Sequence, residues 1–278
     1  MKISMYWQGE LSLYECACMS SFVRQGFALD VYSYMQELDL PAGARLCDAR
    51  ELLDERLSTA YTQGDEKGSP TAFSNLVRYH LISEIGGIWM DTDMFCLKPA
   101  ADYAALLEDN PGKLIVASET DDKINGAVMM SRDPHPLARA MLAEARSKDV
   151  HIKEWGTLGP LLITQIALAH PEQMKILPSA SFYPIYYQEF VMMLLPQHAE
   201  ASRLRCRDSY GMHLWNQIYR EFCIPKNLLP PEGSHLHELL AGLLPDTYPC
   251  LPLNTLFRLL EGHRALHQIQ QISQVLSS

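Results

Sequence analysis

Residues 73–93 read FSNLVRYHLISEIGGIWMDTD, and the order of features in this stretch decides the fold. Phe73, Leu76, Val77, Leu81 and Ile85 recur at a 3.6-residue period, which predicts a helix with one apolar face. Gly86-Gly87 closes it, because glycine tolerates the left-handed backbone that ends helices. Ile88 to Met90 then forms a short apolar strand that runs into Asp91-Thr92-Asp93. On an extended backbone residues two apart project to the same side. The two carboxylates are therefore expected to leave the strand together and to repel one another. A divalent cation relieves that repulsion, and hard oxygen ligands suit Mn²⁺ or Mg²⁺. Ordinary turns also contain Asp-x-Asp; the helix, the Gly-Gly stop and the apolar strand ahead of it distinguish this one.

The flanking segments supply the rest of an α/β sheet. Lys2 to Trp7 is a short apolar-biased strand, broken by Gly9. Ser12 with Glu15 is a capping box for a helix that Gly26 ends, and Leu29 to Tyr34 is a second strand. Strand, capped helix and strand at this spacing make a βαβ unit and a parallel pairing. Downstream, Pro41 to Asp48 reads as a connection, Ala49 to Leu57 as helix and Thr62 to Pro70 as a polar loop. Leu114 to Ser118 and Ala127 to Ser131 read as strands, and Pro136 to Ser147 and Gly159 to Ala169 as helices. Lys226 to Pro252 is rich in Pro and Leu, and Leu253 to Leu276 is a helical tail. The carboxyl edge of such a sheet is where α/β proteins bind ligands, so the Asp pair stands at the natural site.

Composition narrows the function. The 278 residues carry 23 Lys+Arg against 33 Asp+Glu, a net charge of −10, which argues against broad nucleic-acid or anionic-lipid binding. An acidic protein that handles a polyanion needs a local device such as a metal ion. Seven scattered cysteines with no CxxC pair read as reduced thiols in a cytoplasmic compartment. Met1 to Phe22 lacks the pattern of a signal peptide, and no apolar stretch approaches the roughly 20 residues of a spanning helix. The expected division is residues 1–225 as one domain and 226–278 as a helical extension. The apolar face of that extension is free to dock on the domain, pair with a second subunit or rest on the inner face of a membrane.

Several of these segments resemble one family together. Phe73 to Tyr79, Gly86 to Asp93 and Cys96-Leu97-Lys98-Pro99 are similar to the DXD segment of bacterial glycosyltransferase family 32-like enzymes. That family is related to capsule and polysaccharide glycosyltransferases and more distantly to the clostridial glucosylating toxins. Trp7-Gln8-Gly9, Leu11-Ser12, Ser21-Phe22, Gly26, Val31 to Tyr34, Leu40 to Gly43 and Asp48-Ala49 resemble its first βαβ unit. His213-Leu214-Trp215-Asn216 resembles its closing motif, and the likeness keeps its order over roughly residues 1–222.

The resemblance implies a GT-A-like, mixed and mostly parallel sheet flanked by helices. It also implies a nucleotide-sugar donor, usually a UDP-sugar, with Mn²⁺ (or Mg²⁺) at its diphosphate. The implied activity is transfer of a hexose to a hydroxyl of a glycan or lipid-linked acceptor, with retention favoured. Asp93 would ligate the metal directly, and Asp91 would reach the metal or the donor's ribose or sugar. His213 would be a further metal or diphosphate ligand. Trp7 and Gly9 would lie by the uracil, Arg78 by the donor sugar or Asp91, and Trp215 and Asn216 over the diphosphate. Asn125, before Gly126, is a catalytic or sugar-contacting candidate, or simply part of a turn. Glu119, Asp121 and Asp122 face the acceptor or form a solvated loop, and Trp155 to Pro160 shape the acceptor side or lead into a helix. Asn75 departs from the family, which often has Asp there; an amide still bonds sugar hydroxyls but cannot act as a base.

Two other classes fit an Asp-x-Asp after an apolar strand. A haloacid-dehalogenase-type phosphohydrolase uses the first Asp as nucleophile, but usually near the N-terminus, and here the pair stands at residues 91 and 93. A non-catalytic nucleotide-sugar-binding module is the other, suggested by Asn75.

Overall fold

Ser12 starts the first helix as its sequence predicts. The Ser12 side chain accepts from the Tyr14 N–H, and the Glu15 carboxylate reaches back to the Ser12 N–H. The computed structural model describes residues 1–59, 70–147, 156–244 and 247–276. Its elements begin with β1 (Lys2–Tyr6), α1 (Leu13–Arg24), β2 (Ala28–Ser33) and β3 (Ala44–Asp48). They continue with α2 (Pro70–Glu84), β4 (Gly87–Met90), β5 (Met94–Cys96), α3 (Ala100–Glu108), β6 (Leu114–Thr120) and β7 (Lys123–Ser131). After α4 (Pro136–Ser147) and α5 (Pro160–Ala169) come β8 (Met174–Leu177), α6 (Val191–Leu194), α7 (Ala199–Cys206) and β9 (Gly211–His213). The chain closes with α8 (Asn216–Glu221), α9 (His235–Ala241) and α10 (Leu253–Leu276).

Seven strands form one sheet in the order β3-β2-β1-β4-β7-β6-β8, and β5 pairs with β9 in a separate ribbon. The pairings β2–β3, β1–β2, β1–β4 and β6–β8 are parallel, whereas β7 runs antiparallel to both β4 and β6. The sheet is thus mixed and mostly parallel, with helices against it, as expected. Along β4 the side chains alternate. Ile88 and Met90 join a core on one face with α1, while Trp89 joins a core on the other with α2, α4 and α5. Gly86 permits the sharp exit from α2: its φ is +73°, and a Cβ there would fall 2.7 Å from the Asp133 carbonyl carbon.

Three expectations change. Residues 44–48, read as connection, are the edge strand β3. Ala49 to Leu57 is not one helix but two 3₁₀ turns, Ala49–Glu51 and Glu55–Thr59. Asp54 accepts the Arg56 N–H at 2.9 Å, a local bond that competes with continued helix. Asn125-Gly126 lies inside β7 rather than in a turn. The loop expected over Thr62 to Pro70 lies outside the described residues apart from Pro70, which starts α2. The stretch after Lys226 packs closely: Leu236, Leu240, Leu251 and Leu256 belong to the same core as α1, and Leu229 bridges Cys250. Among the described residues no helix is long and apolar enough to cross a membrane.

Candidate functional site

Asp91 and Asp93 do not continue an extended strand. The Met94 N–H donates to the Asp91 carbonyl at 3.1 Å, so Asp91 to Met94 is a tight turn joining β4 to β5. The expected convergence of the two carboxylates is met by this turn instead of by strand alternation. The Asp91 N–H donates to the Ala127 carbonyl at 2.8 Å, which pins the start of the turn to β7.

The two carboxylates have different surroundings. Asp91 Oδ1 accepts from Arg78 Nη2 at 2.7 Å and from Trp89 Nε1 at 2.8 Å. The Arg78 guanidinium is buried over the Trp89 ring, 5.3 Å from its centre, and its Nε has no hydrogen-bond partner among the described residues. Burial holds the Asp91 carboxyl above its ordinary value; Arg78 opposes this and the nearby Asp93 charge adds to it. Asp93, by contrast, pairs with no Lys or Arg among the described residues: its Oδ2 accepts the Asn216 N–H at 2.8 Å, and its Oδ1 is 3.3 Å from His213 Nε2.

β9 supplies that histidine. His213 stands opposite Met94 in the β5–β9 ribbon, and the Leu214 N–H donates to the Asp93 carbonyl at 2.9 Å. The Trp215 N–H donates to His213 Nδ1 at 3.2 Å, which turns Nε2 toward Asp93. Trp215 has a left-handed backbone (φ +60°), so the chain bends sharply and presents the N-terminus of α8 to Asp93. Its indole N–H donates to the Ile185 carbonyl at 2.9 Å, and its ring packs among Tyr183, Tyr186, Tyr187 and His213. Trp215 is thus buried as a wall of the site.

Asp91, Asp93 and His213 each offer a ligand atom, and these atoms all lie within 4.8 Å of one another. Two carboxylate oxygens and one imidazole nitrogen, with the Asp93 carboxylate held among the described residues by a backbone N–H and the imidazole, fit a divalent cation.

A second group lies beside Asp91. Asn125 Oδ1 accepts the Ala127 N–H at 2.8 Å, and Ala127 is the residue whose carbonyl binds the Asp91 N–H. Asn125 Nδ2 donates to Glu119 Oε2 at 2.8 Å, and Lys123 Nζ pairs with Glu119 Oε1 at 2.9 Å. The acidic trio therefore divides: Glu119 is buried, while Asp121 and Asp122 are exposed at the β6–β7 hairpin. Gly126 leaves room for Arg78, since a Cβ there would collide with the guanidinium and fall 2.8 Å from Ile163 Cδ1. Asn75 is buried one turn before Arg78 on α2, and a Cβ on Gly159 would come within 3.1 Å of its Oδ1. Trp155 lies outside the described residues.

Trp7 is half-buried at the carboxyl end of β1, its indole N–H donating to the Gly9 carbonyl at 3.0 Å. Gly9 has φ +104° with open space around it, so conformation and not close approach requires the glycine. Four contributors escaped the sequence reading. In the sequence Trp89 stands out only as part of the strand and the DXD-like segment, and Glu15 only as a helix cap. Lys226 was read only as a residue of the tail. Tyr183 has a buried hydroxyl with no partner among the described residues, and burial raises its pKa well above normal. Only Trp89 carried a usable signal, its position two residues before Asp91.

Residues 14–113 match the glycosyltransferase sugar-binding region containing DXD motif, and residues 130–229 match the alpha 1,4-glycosyltransferase conserved region. The first range contains Asp91 and Asp93, and the second contains His213. Both matched regions are regions of glycosyltransferases, and together they span most of the chain. Lactosylceramide 4-alpha-galactosyltransferase of Pongo pygmaeus is 25% identical to this chain over 187 residues, 61% of this chain and 80% of the relative. The Rattus norvegicus protein of the same name is 23% identical over 217 residues, 72% of this chain and 54% of the relative. Solved structures that align include the galactosyltransferase LgtC, at 12% identity over 89% of this chain and 98% of that one, with a TM-score of 0.46. Mouse xyloside xylosyltransferase 1 aligns at 14% identity over 76% and 96%, with a TM-score of 0.44.

Proposed function

We propose that this protein is a glycosyltransferase that moves a hexose from a UDP-sugar to a hydroxyl of a glycan or lipid-linked acceptor, with a divalent cation and with retention. The convergence of Asp91, Asp93 and His213 carries the reading. A bound Mn²⁺ or Mg²⁺ would supply Lewis-acid neutralisation of the charge that grows on the departing diphosphate. Asp93 and His213 would hold it, with Asp91 as a further ligand or a contact to the donor's ribose or sugar. Arg78 and Trp89 fix the Asp91 carboxylate, so its free oxygen meets the donor in one orientation. Trp7 and Gly9 would flank the uracil at the end of β1, and Asn216 and Trp215 would bound the diphosphate side. Asn75 would meet a sugar hydroxyl, and Asn125, set by Glu119, would face the anomeric carbon or the incoming hydroxyl.

In the transfer the bond from the anomeric carbon to the diphosphate oxygen breaks, and its electron pair leaves with the diphosphate. The acceptor oxygen bonds to that carbon, and its proton passes to the departing diphosphate. The names of these relatives, alpha-galactosyltransferases, support a hexose and an α product. From an α-linked UDP-hexose, an α product is retention. The acidic composition supports recruiting positive charge as a metal rather than as a lysine-rich cradle. A panel of UDP- and GDP-sugars with Mn²⁺, scored by hydrolysis without acceptor, tests the proposal. The expected result is Mn²⁺-dependent hydrolysis of one UDP-hexose. Hydrolysis of simple phosphate esters instead would make it a phosphohydrolase, and UDP binding without turnover would make it a binding module.

A further inference from the structure

Glu15 uses its two carboxylate oxygens for different tasks. Oε2 accepts the Ser12 N–H at 2.9 Å and completes the cap of α1. Oε1 turns away from the cap and accepts from Asn216 Nδ2 at 2.6 Å and from Lys226 Nζ. Lys226 Nζ also donates to Asn216 Oδ1 at 2.8 Å and stands 6.0 Å over the Trp7 ring. Its main-chain carbonyl accepts the Leu13 N–H at 3.2 Å. Both ends of the Asn216 amide are therefore gripped, and the Asn216 main-chain N–H is the donor to Asp93 Oδ2.

We propose that Glu15 and Lys226 are positioning residues that set the Asp93 carboxylate through Asn216. Pure stabilisation is a poor explanation for the pair. Glu15 is 1% exposed and the Lys226 side chain 19% exposed. Removing two charges from water costs several kcal/mol, and a buried pair is often no more stable than apolar residues of the same volume. What the pair adds is direction. It locks one rotamer of Asn216, and with it the first N–H of α8, against a carboxylate that pairs with no Lys or Arg among the described residues. The chain beyond the His213 motif thereby becomes part of the site, joined to the first helix and to the turn carrying Asp93.

The proposal rests on Asp93 being a metal ligand, so the test has one readout with metal and one without. Mn²⁺ alone is titrated calorimetrically into the full chain and its variants. Separately, hydrogen exchange at the Asn216 amide is followed by NMR without metal. Lys226→Met and Asn216→Ala are expected to weaken Mn²⁺ at least tenfold and to speed exchange of the main-chain amide at position 216 at least tenfold. Lys226→Arg should recover part of both. Arg24→Ala, which breaks a tail contact elsewhere (Nη1 to the Gly242 carbonyl, 2.9 Å), should change neither. If Lys226→Met does not fold, Glu15→Gln, which keeps shape but removes charge, is expected to show the same changes in smaller measure. Wild-type exchange at position 216 in the folded variants overturns the proposal. A wild-type protein that binds no Mn²⁺ overturns the metal reading instead, and the amide exchange still decides the positioning role.

Discussion

Two carboxylates two residues apart, Asp91 and Asp93, are treated in opposite ways by the fold. Asp91 is held by a buried guanidinium and an indole N–H, all three groups on the α2 face of the sheet. Asp93 is held by one backbone N–H and one imidazole, on the side built by β9 and α8. The first arrangement satisfies a charge within the protein, while the second fixes a charge in place and leaves it to be neutralised from outside. Identical residues in one short motif are thus held in different ways, and only their neighbours tell them apart.

Arg78→Met should have the largest effect on stability, because it leaves Asp91 without its cation. A loss of about 3 kcal/mol is expected in denaturant unfolding, partly recovered by adding Asp91→Asn. An unchanged midpoint would show that the pair does not anchor the turn. Gly126→Ala strikes the same anchor from the other strand. Its Cβ would displace Arg78 and press on Ile163, with an expected cost of about 1–3 kcal/mol and a measurable fall in melting temperature. A fully stable variant would show that Arg78 can relocate freely.

The smallest effect concerns the Asp93 side and is read against pH. Glu15 is held below the ordinary carboxylate range: burial works against this, but the Lys226 charge and the bonds from Lys226, Ser12 and Asn216 prevail. A carboxyl with a lowered folded-state value contributes stability above its unfolded value of 4.5 and loses it as pH falls through the lower folded value. The wild type should therefore lose more stability than Glu15→Gln as pH falls below 4.5. Equal slopes would mean that Glu15 is not held in its charged form.

Much of this was legible from residues alone where a period or a cap carried it. The α2 helix followed from Phe73, Leu76, Val77, Leu81 and Ile85, and the start of α1 from Ser12 and Glu15. The reversed direction of β7 was not legible, since an apolar run such as Ala127 to Ser131 looks the same in either direction. The β5–β9 ribbon, with three residues in each strand, is too short to show alternation, yet it brings His213 to Asp93. The turn at Asp91 to Met94 was hidden because an Asp-x-Asp fits both strand and turn. Glu15 was read for one oxygen only; its other partners lie 201 and 211 residues away, beyond any local pattern.

The most direct test of the account is calorimetric titration of UDP with and without Mn²⁺ into the wild type and Asp93→Ala. The account predicts UDP binding that requires Mn²⁺ in the wild type and is lost in Asp93→Ala, with the variant's melting temperature little changed. Equal, Mn²⁺-dependent binding in both proteins would contradict the assignment of Asp93 as the open ligand.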